Sequence, residues 1–250
     1  ELKKKNKESL IVSGAHLSEN HGKTVNLIKK DKIKVVNEIH SLLSTDDLVQ
    51  RPLNISSLIN NLTTFFNTSK PDLIIVVGDR EESIASALVA NYMNIPLAHI
   101  GGGDPVYGNS DDPIRFAVSK LSSIHLCSNK YYYNNLVKLG EDKFRIFNVG
   151  NPIYTSINKT KKISKKELYS SLKIKINKKF IVLIKHPLSS EVDQSSIQMK
   201  KTLTAVSNFC KEFNYYCICI TPNSDPGSKK INEIRENFAK DKNILFFETL

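Results

Sequence analysis

Short, uninterrupted apolar runs rich in β-branched residues recur along the chain, and stretches of helical periodicity separate most of them. The runs fall at residues 10–12, 73–77, 96–100, 124–127, 180–184, 215–220 and 244–247; the amphipathic stretches fall at 81–93, 112–121, 129–139, 195–213 and 228–239. An apolar run without alternation suits a strand covered on both faces, and strand–helix–strand order makes successive strands parallel. The run Leu73-Ile74-Ile75-Val76-Val77 is the clearest case, and burial on both sides is expected of it. The pattern predicts an α/β fold with parallel, doubly wound sheets.

Residues 158–179 break the rhythm: they are rich in Lys, Ser and Asn and read as a connection with a surface helix. A boundary therefore falls within 150–160, giving a first domain of residues 1–155 and a second of 156–250. At 250 residues and 40% hydrophobic, the chain has apolar material for a core in each half. No run approaches the roughly 20 apolar residues of a membrane helix. Residues 1–7 are charged and lack the apolar centre of a signal peptide, so no membrane association and a cytoplasmic location are expected.

The net charge of +11 invites a nucleic-acid reading. The lysines, however, come in short scattered clusters such as Lys29-Lys30, Lys161-Lys162 and Lys200-Lys201, with no arginine stripe interleaved with aromatics. A solvated basic surface is expected, and no nucleic-acid partner. Of the four cysteines, Cys217 and Cys219 share one face of a strand, roughly 7 Å apart along it. That is wide for one tetrahedral ion, and buried free thiols are expected rather than a metal site or disulfide.

In open parallel sheets, ligands gather beyond the carboxyl ends of the strands. Gly14-Ala15-His16, Gly78-Asp79-Arg80 and Gly101-Gly102-Gly103-Asp104 each follow a run. Asp79 and Asp104 thus come to one rim, where carboxylates can serve as base and acid. Asp79 could equally cap the helix that follows, and the three glycines match neither a dinucleotide fingerprint nor a P-loop. His99 is either a site residue or a satisfied core histidine, and His16 and His21 are open to a plain loop reading. Asp111-Asp112-Pro113-Ile114-Arg115 opens a helix, its acids suited to the positive N-terminus and Arg115 able to meet a carboxylate or phosphate. In the second half, His186-Pro187 and Pro222-Asn223-Ser224-Asp225-Pro226-Gly227-Ser228 follow strands, and the latter segment opens a helix at Ser228.

Taken together and in order, Gly14-Ala15-His16-Leu17-Ser18, Gly78-Asp79-Arg80, Ala98-His99-Ile100-Gly101-Gly102-Gly103-Asp104, Asp111-Asp112-Pro113-Ile114-Arg115, Asn148-Val149-Gly150-Asn151-Pro152, His186-Pro187 and the Pro222–Ser228 segment resemble the UDP-N-acetylglucosamine 2-epimerase family. The hydrolysing branch, which serves sialic-acid-type sugar pathways, is the nearer likeness. The resemblance implies two Rossmann-like domains facing across a cleft, as in B-type glycosyltransferases, with both domains truncated here. The first strand–helix unit would be missing, and so would the later part of the second domain with its uridine-diphosphate loop.

The resemblance also implies chemistry. UDP is eliminated across C1 and C2 to a 2-acetamidoglucal, and the hydrolysing branch then adds water to give N-acetylmannosamine or a related 2-epimer. By position, Asp79, Asp104, Asp111 and His186 match catalytic residues, with His186 beside the diphosphate. His16, Arg80, His99, Arg115, Asn223 and Ser228 match substrate-binding positions. A UDP-sugar substrate and a homo-oligomer are expected, and no cofactor or metal. Gly101 and Phe116 depart from the family, where many members carry histidine. The competing readings are a non-hydrolysing epimerase, a glycosyltransferase of similar fold and a catalytically silent nucleotide-sugar binder.

Overall fold

A computed structural model describes residues 7–43, 48–107 and 110–248. Most of the charged lead, and Thr249 and Leu250 at the far end, lie outside the described residues. These residues form two compact units: one within Glu1–Glu38, Ser44–Leu48 and Lys161–Leu250, the other within Ile39–Leu43 and Val49–Thr160.

The second of these units holds a parallel sheet of four strands in sequential order: β3 (Ile74–Val77), β4 (Leu97–Ile100), β5 (Ile124–Cys127) and β6 (Ile146–Asn148). Helices α3 (Glu81–Tyr92), α4 (Asp111–Lys120) and α5 (Lys130–Lys138) make the crossovers. Right-handed crossovers between sequential neighbours put all three helices on one face. The other face is left open: along β3, Ile74 and Val76 are buried while Ile75 and Val77 are 45% and 65% exposed. The expected two-sided burial of residues 73–77 is therefore corrected, because strand order decides which faces receive helices. Helix α2 (Gln50–Ser69) packs on α3, and α6 (Pro152–Lys159) starts at the Asn151 cap, whose side chain accepts from the Ile153 N–H.

In the other unit, β7 (Lys179–Ile184), β8 (Tyr215–Ile220) and β9 (Ile244–Phe247) are also parallel and in sequence order. Alternation along β8 sorts its side chains. Cys217 and Cys219 pack with Met199, Leu203 and Cys210 of α8 (Ser195–Glu212) and Ile231 of α9 (Ser228–Asn237). Ile218 points oppositely, onto Tyr169 and Leu172. Tyr169 belongs to α7 (Lys165–Ser171), a surface helix set by a capping box between Ser164 and Glu167. All four cysteines are free and buried, as expected of core thiols. The same unit contains β1 (Leu10–Ser13) and α1 (Val25–Lys30), and β2 (Val35–Ile39) pairs with β1.

Candidate functional site

The chemistry-bearing residues of the four-stranded unit gather where β3 and β4 end. Gly78 leads out of β3 into Asp79 and Arg80, and α3 begins at once with Glu81 and Glu82. Gly101 to Asp104 lead out of β4. The glycines here answer to packing. A β-carbon on Gly102 would lie 2.8 Å from Ser119 Oγ and 3.0 Å from His99 Nδ1. One on Gly103, at φ +79°, would run into the Tyr132 carbonyl. The loop is thereby pressed against α4 and α5. Asn135 Nδ2 donates to the Gly103 carbonyl at 2.9 Å, and the nearby Asp104 carboxylate holds the Tyr132 phenol above its ordinary pKa.

Arg115, one turn into α4, ties the two strand ends together. Its Nε donates to Asp79 Oδ2 at 3.0 Å and its Nη2 to the same oxygen. Nη1 reaches Asp104 Oδ2 at 3.0 Å and the Gly101 carbonyl at 3.5 Å. Arg115 and Asp79 are mostly buried, at 13% and 14% exposure, whereas Asp104 stands 37% exposed. A guanidinium forks naturally onto carboxylates, so one side chain sets the spacing of both acids. Asp104 is the one solvent reaches more freely.

Behind this rim lies His99, fully buried. Its Nε2 must donate to the Gly78 carbonyl, 2.9 Å away, because a carbonyl only accepts. Nδ1 then faces the Ser119 hydroxyl at 3.0 Å, whose one proton His99 shares with the Arg115 carbonyl, also 3.0 Å from Ser119 Oγ. Burial pushes the ring pKa down to about 4, and the Gly78 hydrogen bond opposes that only in part. A neutral ring with both nitrogens committed holds the β3 turn against α4; it is not displayed at the rim.

Asp111 is held by a residue that the sequence did not single out. Arg51, on α2, donates from Nη2 to Asp111 Oδ1 at 2.9 Å, from Nη1 to Ser110 Oγ at 2.8 Å and from Nε to Glu81 Oε1 at 2.5 Å. Arg80 turns toward Glu81, with Nε 3.5 Å from Oε2. Asp112 Oδ1 accepts from the Val106 N–H at 2.6 Å. Phe116 lines a shallow cavity of about 300 Å³ with Pro105, Tyr107, Asp112, Asn135 and Lys138. Before β6, buried Glu141 gathers Lys120 at 2.8 Å, Arg145 at 2.8 Å and His125 Nε2 at 3.0 Å. This knot belongs to the amino end of β5 and β6, away from the rim.

A second group belongs to the other unit and forms around the β7 and β8 ends. His186 is exposed, and its Nδ1 accepts from the Asn223 N–H at 2.9 Å, so Nε2 carries the proton of the neutral ring. Asn223 Nδ2 donates to Asp225 Oδ2 at 2.5 Å, and Ser228 Oγ donates to the Asp225 carbonyl at 2.6 Å. The loop is thus folded on itself, and Ser228 is buried as the first residue of α9. His16 stands apart in the turn after β1, with Nδ1 2.7 Å from Thr24 Oγ1. His21 bonds Ser18 Oγ through Nδ1 at 3.1 Å.

Asp79, Asp104 and Arg115 are therefore in contact, with Asp111, Arg80 and His99 joined to them through Arg51, Glu81 and Gly78. His186, Asn223 and Ser228 form a separate cluster. Arg51 lies on a helix whose buried positions, Gln50, Asn54, Leu58, Leu62 and Phe66, recur only once a turn and begin with two amides. Such a stripe carries little hydrophobic periodicity, and a lone arginine before it carries no motif. Tyr132 and Asn135 sit on a helix the sequence does reveal, but only the packing shows their turn toward the glycine loop.

Comparison with known proteins places this geometry. A 2-epimerase of Campylobacter jejuni subsp. jejuni serotype O:2, named as acting on GDP/UDP-N,N'-diacetylbacillosamine (hydrolyzing), is 33% identical over 231 residues, covering 92% of this chain and 59% of its own length. The UDP-N,N'-diacetylbacillosamine 2-epimerase (hydrolyzing) of Legionella pneumophila is 31% identical over 242 residues, covering 97% and 63%. The chain thus spans about three fifths of the length of these relatives. The solved structure of UDP-GlcNAc 2-epimerase from Neisseria meningitidis bound to UDP-GlcNAc shares the fold, with a TM-score of 0.77 at 20% identity over 100% of this chain and 67% of that one. The UDP-N-acetylglucosamine 2-epimerase profile matches residues 1–250, and the chain that carries Asp79, Asp104 and Arg115 in contact at the ends of two parallel strands belongs to that family.

Proposed function

We propose that the whole protein is a hydrolysing 2-epimerase of UDP-linked 2-acetamido sugars. The observation that carries the reading is the single arginine, Arg115, holding two strand-end carboxylates, Asp79 and Asp104, at one rim. A carboxylate there takes the proton from C2, the C1–O bond to UDP breaks, and a C1=C2 double bond forms. Water then adds, with oxygen to C1 and a proton to C2 on the opposite face, which leaves the free 2-epimer and UDP. Asp111 belongs to the same acidic set, and Arg80 and Arg115 offer cationic contacts to the substrate. His186, with Nδ1 occupied and Nε2–H free to donate, suits the departing diphosphate; His16, Asn223 and Ser228 complete the substrate contacts. His99 supports the rim from behind.

The two relatives named as hydrolysing favour that outcome over return of UDP to the glucal. N-acetylglucosamine and diacetylbacillosamine are the candidate sugars. Residues 1–155 as one domain and 156–250 within another, a cytoplasmic location and a homo-oligomer go with this reading. The test is incubation of the whole protein with UDP-N-acetylglucosamine and UDP-N,N'-diacetylbacillosamine in deuterated water. Free 2-epimer carrying deuterium at C2, in equal amount to UDP, is expected. A 2-epimeric UDP-sugar without free sugar, or no turnover of either, would overturn the proposal.

A further inference from the structure

Among the described residues of the four-stranded unit, three charged clusters differ in what they touch. The Glu141 knot with Lys120, Arg145 and His125 sits at the amino end of its strands and joins only framework. The Arg115 cluster is the rim itself. The Arg51 cluster lies between framework and rim: its guanidinium uses Nε, Nη1 and Nη2 on three different side chains, from two different places in the chain. Arg51 stands at the start of α2, Glu81 at the start of α3, and Ser110 and Asp111 at the start of α4. Glu81 comes two residues after Asp79, and Asp111 comes one helical turn before Arg115.

Two guanidinium clamps thus join the same pair of segments. Arg115 reaches from α4 to Asp79; Arg51 joins Glu81, beside Asp79, to Asp111, the first residue of α4. We propose that Arg51 is a positioning residue of the epimerase site: it fixes the Asp111 carboxylate relative to Asp79 through its bridge to Glu81, without itself meeting the substrate. The inference rests on the 2-epimerase reading given above.

The physical case is one of geometry and charge. A planar fork with all three of its nitrogens engaged has no rotational slack, and lysine offers a point charge that cannot span the same three acceptors. The Arg51 side chain is 16% exposed and those of Glu81 and Asp111 are 9% and 13%, so water screens the contacts little. Burial disfavours the charge on Arg51, but Glu81 and Asp111 outweigh it and hold the guanidinium above its ordinary value. The negative ends Glu81 and Asp111 also sit in the first turns of α3 and α4, where the helix field favours them.

The test uses the whole protein, with UDP release followed for wild type, Arg51→Ala and Arg51→Lys. Displacement of a reacting group by about 1 Å costs roughly 100-fold in rate, so Arg51→Ala should lose about that in kcat while KM for the UDP-sugar moves by no more than about threefold. Guanidinium ion at sub-denaturing concentration should restore part of the lost kcat in Arg51→Ala and leave wild type unchanged, a response that lost packing alone does not produce. Arg51→Lys keeps the charge, and is the arm that counts should the alanine variant fail to fold; it should fold and still fall at least tenfold in kcat. Wild-type kcat in Arg51→Lys, or equal loss in KM and kcat with no guanidinium rescue in Arg51→Ala, would overturn the inference. A wild type that turns over no UDP-sugar would instead sink the functional reading beneath it.

Discussion

Acidifying the protein from about pH 7.5 to about pH 5 should weaken it through one ring. His99 is wholly buried, its Nε2–H given to the Gly78 carbonyl and its Nδ1 facing the Ser119 hydroxyl. Its folded pKa lies at about 4, against 6.5 in an ordinary setting, with burial as the main cause. The sign follows from proton counts. The unfolded chain takes up the proton first, so the stability tied to the neutral ring is complete above the unfolded value of 6.5 and drains away as the pH falls towards 4. The gap sets a limit of about 3 kcal/mol, and about 2 kcal/mol of it is gone by pH 5. His99→Gln can still donate to Gly78 but does not titrate. It should begin less stable than wild type by about 1–2 kcal/mol and then lose less on acidification. Urea unfolding of both proteins at the two pH values measures the difference, and a proton NMR titration of the ring reads the pKa directly. His125 is lowered by burial too, but it is present in both proteins and cancels. Equal acid losses in the two, or a ring that titrates near its ordinary value, would refute the reasoning.

Asp79→Asn in the whole protein should cut UDP release by about 10²–10⁴ yet unfold normally, because Arg115 keeps Asp104 as partner; near-wild-type turnover would return Asp79 to a helix-start role. Gly103→Ala should destabilise by a few kcal/mol more than Gly150→Ala, although both glycines have positive φ, at +79° and +77°. Each pays the roughly 1–2 kcal/mol of a left-handed conformation, but only at Gly103 does the new methyl meet the Tyr132 carbonyl, and equal midpoints in denaturant would show that the loop gives way. His186→Ala should slow UDP departure more than exchange of the C2 proton with solvent; the reverse order would remove His186 from the diphosphate.

Much of the architecture was legible along the chain because its cause is local. Runs without polar interruption at 124–127, 215–220 and 244–247 and stretches of helical period at 81–93 and 195–213 report strands and helices wherever burial is strong. The elements passed over have weak local causes. β6 buries only Ile146, β2 buries only Ile39, and α2 shows the core a single narrow stripe headed by Gln50 and Asn54. Glycines followed by aspartates at two strand ends also marked the rim, since the carboxyl ends of parallel strands must open somewhere and the chain must turn there.

What the residues could not state by themselves is who faces whom. That Val77 is open while Val76 is buried follows from the order of four strands, which places α3, α4 and α5 on one side. That His99 is a brace rather than a displayed ligand group follows from Gly78 and Ser119 closing on its two nitrogens. Arg51 acquires its part only when three helix starts, distant in sequence by 30 and 60 residues, converge on one guanidinium. Local patterning encodes how each segment buries its apolar side. Non-local contact decides which polar groups then meet, because a fork of nitrogens has no meaning until its acceptors arrive.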